Sequence, residues 1–98
     1  MKRGKSYDEE LSHKLKSAKF AQIYILTLME GDEGLTVEDA LRHTIARMGI
    51  KEFVHMAHVP QPNVSEFLSG KRKLKPETLN EYLKPFKLKA KLVLEEAS

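Results

Sequence analysis

The residues of this 98-residue chain best suited to chemistry gather between positions 51 and 75. Lys71, Arg72, Lys73 and Lys75 follow directly on Gly70, and a cationic cluster of that kind suits a polyanion. Gln61, set between Pro60 and Pro62, carries a side-chain amide that donates and accepts at once. Asn63, Ser65 and Glu66 add short polar groups and an acceptor over the next five positions. Metal and nucleophile chemistry are poorly supported. His55 and His58 stand three apart, but the chain has no cysteine and only Glu52 as a nearby acid. Ser65 has no base in its vicinity to activate it. The acidic "EGDEG" at 30–34 reads as a turn and not as a phosphate-binding loop. His13 and His43 read as exposed. The chemistry on offer is binding, with no metal site, no cofactor and no catalytic residue.

Charge is unevenly distributed. The net charge is only +3, yet residues 71–91 hold eight Lys/Arg against two Glu, while residues 20–70 hold three against seven Asp/Glu. A basic end beside an acidic middle points to a polyanion for one and a second contact for the other; a merely solvated charged surface is the plain alternative. A hydrophobic fraction of 41% and a charged fraction of 32% describe a folded domain rather than a disordered chain. The absence of cysteine excludes a disulfide scaffold and fits a reducing cytoplasm. The longest apolar run, around 20–29, is too short and interrupted to span a bilayer. No cleavable apolar segment follows the basic N-terminus, which argues against a secretory signal.

The elements that must position these residues read as helices. After a flexible stretch over 1–5, "SYDE" from Ser6 to Glu9 has the form of a capping box and opens a helix over about 7–16. Ser17 caps a second helix running to Glu30, with Gly31 as its stop. Its Phe20, Ile23, Tyr24, Thr27 and Leu28 form one face, and Ala21, Ile25 and Met29 make it nearly apolar all round, so it is expected at the centre of the bundle. "TVED" opens a third helix that ends at Gly49, followed by helices over about 50–57 and 61–68. Pro76 fits the first turn of a sixth helix, which Pro85 should terminate. Over 87–94 the period changes: Leu88, Ala90, Leu92 and Leu94 alternate with Lys87, Lys89, Lys91 and Val93. Alternation predicts a strand. A lone strand is unstable, so it should pair with its own copy in a homodimer or with a partner's sheet. The expectation is an all-α domain of five or six helices with a short C-terminal β-strand. Residues 6–48 form the N-terminal helices, 49–86 pack on them as one domain, and 87–98 make the strand and tail.

Phe53, Val54 and Ala57, a sharp turn at 58–60, then Val64, Phe67 and Leu68 have the apolar spacing of a helix-turn-helix. The turn needs a left-handed residue, and His58, which tolerates positive φ, occupies that place. The first amides of a helix have no internal acceptor, so Pro60 and Pro62 lose nothing there and make a stiff start that projects Gln61.

Residues 49–88, through "EFVHMA", "VPQPNVSEFLSG" and "KRKLKPETLNEYLKPFKL", resemble the lambda-repressor-like (Cro/XRE) helix-turn-helix proteins. The whole chain is similar in arrangement to the HigA-type antitoxins, which set a comparable helical stretch before the motif and an apolar strand after it. The resemblance implies that Gln61, Pro62 and Glu66 occupy base-reading positions. There Gln61 can pair with an adenine edge and Glu66 can accept from cytosine. It implies backbone contacts from Asn63 and Ser65, and phosphate contacts from loop amides near Gly70 and from Lys71, Arg72, Lys73 and Lys75. Pro62 and Glu66 depart from the usual polar readers. Ile50 replaces the usual polar phosphate contact, for which Lys51 can substitute. By the same resemblance the chain is expected to be a homodimeric repressor on a pseudo-palindromic operator. It would also neutralise a RelE/HigB-type ribonuclease toxin, with Glu30, Asp32, Glu33, Glu38 and Asp39 as a surface for that basic partner. Two rivals stand beside it. One is a protein-interaction module whose helix-turn-helix no longer reads DNA. The other is a small basic toxin enzyme, which needs a catalytic cluster on a sheet that this chain does not offer.

Overall fold

In a computed structural model, the protein is described over residues 7–91 and at Leu94. The stretch 1–5 expected to be flexible, the expected cap at Ser6 and Leu92 of the expected strand lie outside the described residues. Six α-helices follow in order: α1 (Tyr7–Lys14), α2 (Ala18–Leu28), α3 (Val37–Met48), α4 (Ile50–Ala57), α5 (Gln61–Leu68) and α6 (Pro76–Leu83). A 3-10 turn, Lys84–Phe86, continues α6.

Local chemistry explains the starts. Ser17 Oγ accepts from the Phe20 amide at 3.3 Å, and Thr36 Oγ1 from the Asp39 amide at 3.1 Å, so each caps its helix. Pro76 stands in the first turn of α6 behind Lys75, whose ψ of 158° is extended. Helix α6 stops at Leu83, just ahead of Pro85 as expected; the chain then tightens into the 3-10 turn, and Lys87 at φ 58° provides the exit.

All six helices contribute to one buried cluster, built on Leu15, Ile25, Leu41, Ile45, Phe53, Phe67, Leu83 and Phe86. The central helix is α3, not α2. Helix α3 packs against α1, α2, α4 and α5, and even its Thr44 is fully buried, donating to the Ala40 carbonyl at 2.8 Å. Ser12 Oγ on α1 donates to the Met48 carbonyl at the end of α3. Helix α2 buries only Ala21 and Ile25, while Ile23 and Leu26 are 51% and 47% exposed. Its all-round apolar pattern therefore meets the core on one side only. His43, expected exposed, is half-buried, its ring stacked on Tyr24 at 6.4 Å.

The second correction is at the C-terminus. Residues 87–91 alternate as anticipated, with Leu88 and Ala90 half-buried against the core and Lys87, Lys89 and Lys91 exposed. They nevertheless form no strand, because no neighbouring strand exists among the described residues to complete a ladder. Instead Asn80 takes a strand's part for one residue. Its Oδ1 accepts from the Ala90 amide at 2.7 Å, and its Nδ2 donates to the Ala90 carbonyl at 3.5 Å. Leu94 is 86% exposed. No helix among the described residues is long and apolar enough to cross a membrane.

The α2–α3 connection doubles back tightly. The Leu35 amide donates to the Leu28 carbonyl at 2.8 Å, and a Cβ at Gly34 would lie 2.2 Å from the Met29 carbonyl oxygen. Gly34→Ala is therefore expected to lower stability by about 1–3 kcal/mol in urea unfolding. An unchanged midpoint would mean that the connection is not held this closely.

Candidate nucleic-acid interface

Helix α4 ends where the His58 amide donates to the Val54 carbonyl at 2.9 Å. His58 then takes the left-handed conformation, φ 57° and ψ 49°, as the sequence predicts. This turns the chain within three residues into Pro60, extended at φ −66° and ψ 132°, which stands before α5. The Pro60 carbonyl accepts from the Val64 amide at 3.3 Å, opening the ladder of α5. Neither Pro60 nor Pro62 deprives the helix of a bond, because amides of the first turn have no acceptor within it.

Helix α5 is anchored by one side. Val64 and Phe67 are fully buried. The Phe67 ring meets Tyr82 perpendicularly at 5.7 Å, and the Arg42 guanidinium lies 4.5 Å from its centroid. Arg42 Nε also donates to the Phe67 carbonyl at 2.8 Å, and its Nη1 to Asp39 Oδ1 at 2.9 Å. A cation at the last turn of α5 complements the helix dipole. Sequence reasoning missed Arg42. The Asp39–Arg42 spacing was visible, but nothing in it announced Phe67. With that side fixed, Gln61, Pro62, Ser65 and Glu66 are exposed and Asn63 is half-buried. Gln61 and Ser65 share one face, as do Pro62 and Glu66, each pair four residues apart.

At the other end, about 12 Å along the helix axis, Gly70 at φ 82° reverses the chain. The Gly70 amide donates to the Phe67 carbonyl at 3.2 Å and the Lys71 amide to the Glu66 carbonyl at 2.9 Å, a Schellman closure. The Arg72 amide and Ser69 Oγ also donate to the Glu66 carbonyl, at 3.2 and 3.1 Å. The amides of Gly70, Lys71 and Arg72, expected to face phosphate, thus donate into the end of α5. The side chains of Lys71, Lys73 and Lys75 stay exposed, as does Lys51 in the first turn of α4. Ile50 is half-buried against the core.

Glu66 and Arg72, both assigned outward contacts from the sequence, are brought together. Arg72 donates Nε at 2.9 Å and places Nη2 2.7 Å from the same carboxylate oxygen, Oε1. Six residues apart and across the helix end, this pair follows no helical spacing rule. Beneath it, burial raises the pKa of the Tyr82 phenol above its ordinary value; the Arg72 charge opposes that shift and Glu81 adds to it. His55 and His58 are both exposed, and no cluster of three or more His, Asp or Glu among the described residues is placed to hold a metal.

Because L-residues in the left-handed region carry a penalty of about 1–2 kcal/mol, His58 is a sensitive position. His58→Val is expected to be less stable than His58→Gly by at least about 1 kcal/mol in urea unfolding. Equal stabilities would contradict the turn geometry.

No family model matches this chain, and comparison with curated proteins and with solved structures likewise finds no match.

Proposed function

We propose that the protein is a sequence-specific DNA-binding repressor, acting in the cytoplasm as a homodimer. On this reading α4, the His58 turn and α5 form a lambda-repressor-like helix-turn-helix, and the chain acts by occupancy and not by catalysis. One observation carries the reading. The proline-stiffened start of α5 is exposed and presents Gln61, while Lys71, Lys73 and Lys75 stand exposed beyond its other end. In a helix-turn-helix the N-terminal end of the second helix meets base edges and flanking cations meet phosphates. Two such helices one turn of DNA apart would read a pseudo-palindrome.

The resemblance in arrangement to HigA-type antitoxins supports a second role, neutralising a RelE/HigB-type ribonuclease toxin and repressing the shared operon. Glu30, Asp32 and Glu33 are exposed and suit a basic partner, whereas Asp39 is paired with Arg42 and Glu38 is half-buried.

A protein-interaction module that no longer reads DNA is the alternative, and specific observations favour it. Glu66 and Arg72 neutralise each other, and the loop amides donate inward. Fluorescence anisotropy with the DNA upstream of the reading frame, titrated with salt, separates the two. Repression predicts binding at least roughly 1,000-fold tighter than to scrambled DNA at physiological salt. Equal, micromolar or weaker binding to both would support the interaction module. Gln61→Ala is expected to relax preference at one base pair by about 1–3 kcal/mol; uniform loss on all sequences contradicts a reading role. Lys73→Ala is expected to weaken all DNA alike and flatten the log–log salt slope by about one unit. A slope that does not change removes Lys73 from the phosphate contacts.

A further inference from the structure

The outward side of α2 is unexplained by anything above. Ile23 and Leu26 are half-exposed aliphatic residues lying opposite the buried Ala21 and Ile25. Lys19 and Glu30 are exposed at the two ends of the same line. Beyond Leu28 the chain closes α2 in a tighter turn, with the Met29 amide donating to the Leu26 carbonyl and the Glu30 amide to that of Thr27, both at 3.2 Å, so that Glu30 stands directly past the last turn. Positions 19, 23 and 26 are separated by four and three residues, the spacing of a single stripe along a helix, and Glu30 follows four residues on, just past the end of α2.

That stripe reads cation, aliphatic, aliphatic, anion, and it is its own complement when reversed. An antiparallel two-fold contact sets Lys19 against Glu30 of a second copy, and Ile23 against Leu26, each pair occurring twice. A two-fold interface requires this kind of self-complementarity. The helix dipole points the same way. In a single chain, a cation in the first turn of α2 and an anion after its last turn both oppose the dipole. In the antiparallel pair, each charge lies beside the opposite end of the neighbouring helix and the sign becomes favourable. We propose that the outer stripe of α2 is the interface between two copies of this chain. The proposal rests on the two-copy part of the reading above and is independent of whether the chain binds DNA. It differs from the pairing first expected of Leu88, Ala90, Leu92 and Leu94, two of which, Leu88 and Ala90, already pack on their own core. It leaves Asp32 and Glu33 open to another partner.

An eleven-residue helix covers less than the roughly 800 Å² per partner of a standard stable interface. The dimer is therefore reversible, and its concentration dependence is the readout. Sedimentation velocity of the full chain over a micromolar-to-millimolar series should show a monomer–dimer equilibrium. Leu26→Lys should weaken it by roughly a hundredfold. Lys19→Glu or Glu30→Lys alone should weaken it roughly fivefold, and the two together should restore it. All four positions are exposed or partly so, and an unchanged helical circular dichroism signal confirms that each variant folds. A dimer indifferent to Leu26→Lys overturns the proposal while leaving the two-copy reading intact, with the contact elsewhere. A monomer at every concentration overturns both. Failure to bind DNA, with the dimer behaving as stated, sinks the repressor reading alone.

Discussion

The orientation of α5 rests on the environment of one ring. Phe67 is fully buried, perpendicular to Tyr82, with the Arg42 guanidinium 4.5 Å from its centroid and bonded to its carbonyl. Tyr82 in turn meets Phe53 at 5.4 Å, and Phe53 stacks on Phe86 at 6.0 Å. Four aromatic residues from α4, α5, α6 and the 3-10 turn are thereby linked, and Arg42 ties the last turn of α5 to the central helix. A side chain of this size buried in a close-packed core contributes about 3–5 kcal/mol relative to alanine. Its effect on α5 is directional. Once Val64 and Phe67 face inward, helical geometry leaves Pro62, Ser65 and Glu66 outside, and Gln61 is exposed in the first turn.

The two ends of α5 are stiffened by different means. At the start, prolines fix the backbone where no amide is needed. At the finish, a Schellman closure through Gly70 gathers the amides of Gly70 and Lys71, and the Glu66 carbonyl takes Arg72 and Ser69 as well. Glu66 thus organises the basic loop with both its carbonyl and its carboxylate. The consequence for the proposed DNA contact is that affinity falls to the lysine side chains and any base discrimination to Gln61 and its neighbours. The acid at position 66 is held by Arg72.

Much of this was legible in the sequence, for stated reasons. The bounds of α4 and α5, the left-handed His58 and the start of α6 follow from punctuation: a glycine, a histidine that tolerates positive φ, and prolines placed where their missing donors do no harm. What was not legible depends on partners distant in the chain. An all-round apolar α2 does not say which side is covered, and the structure covers only the side of Ala21 and Ile25. Alternation over 87–91 fixes which residues face inward, but a strand also needs a neighbour, and Asn80 serves Ala90 alone. The Arg42–Phe67 stack, the His43–Tyr24 stack and the Glu66–Arg72 pair join residues whose spacing gives no local signal. In the candidate site, exposure could be read from helix phase, whereas pairing between its members could not.

In the proposed function the exposed start of α5 and the lysines beyond its end form one surface for duplex DNA. Titrating the isotope-labelled chain with its upstream duplex, and following backbone amide shifts by NMR, tests that surface directly. Duplex binding through α5 predicts the largest changes at Gln61, Asn63 and Ser65 and across 71–75, with α1 little altered. Changes centred on α2 and the acidic loop at 30–34, with α5 undisturbed, would contradict it.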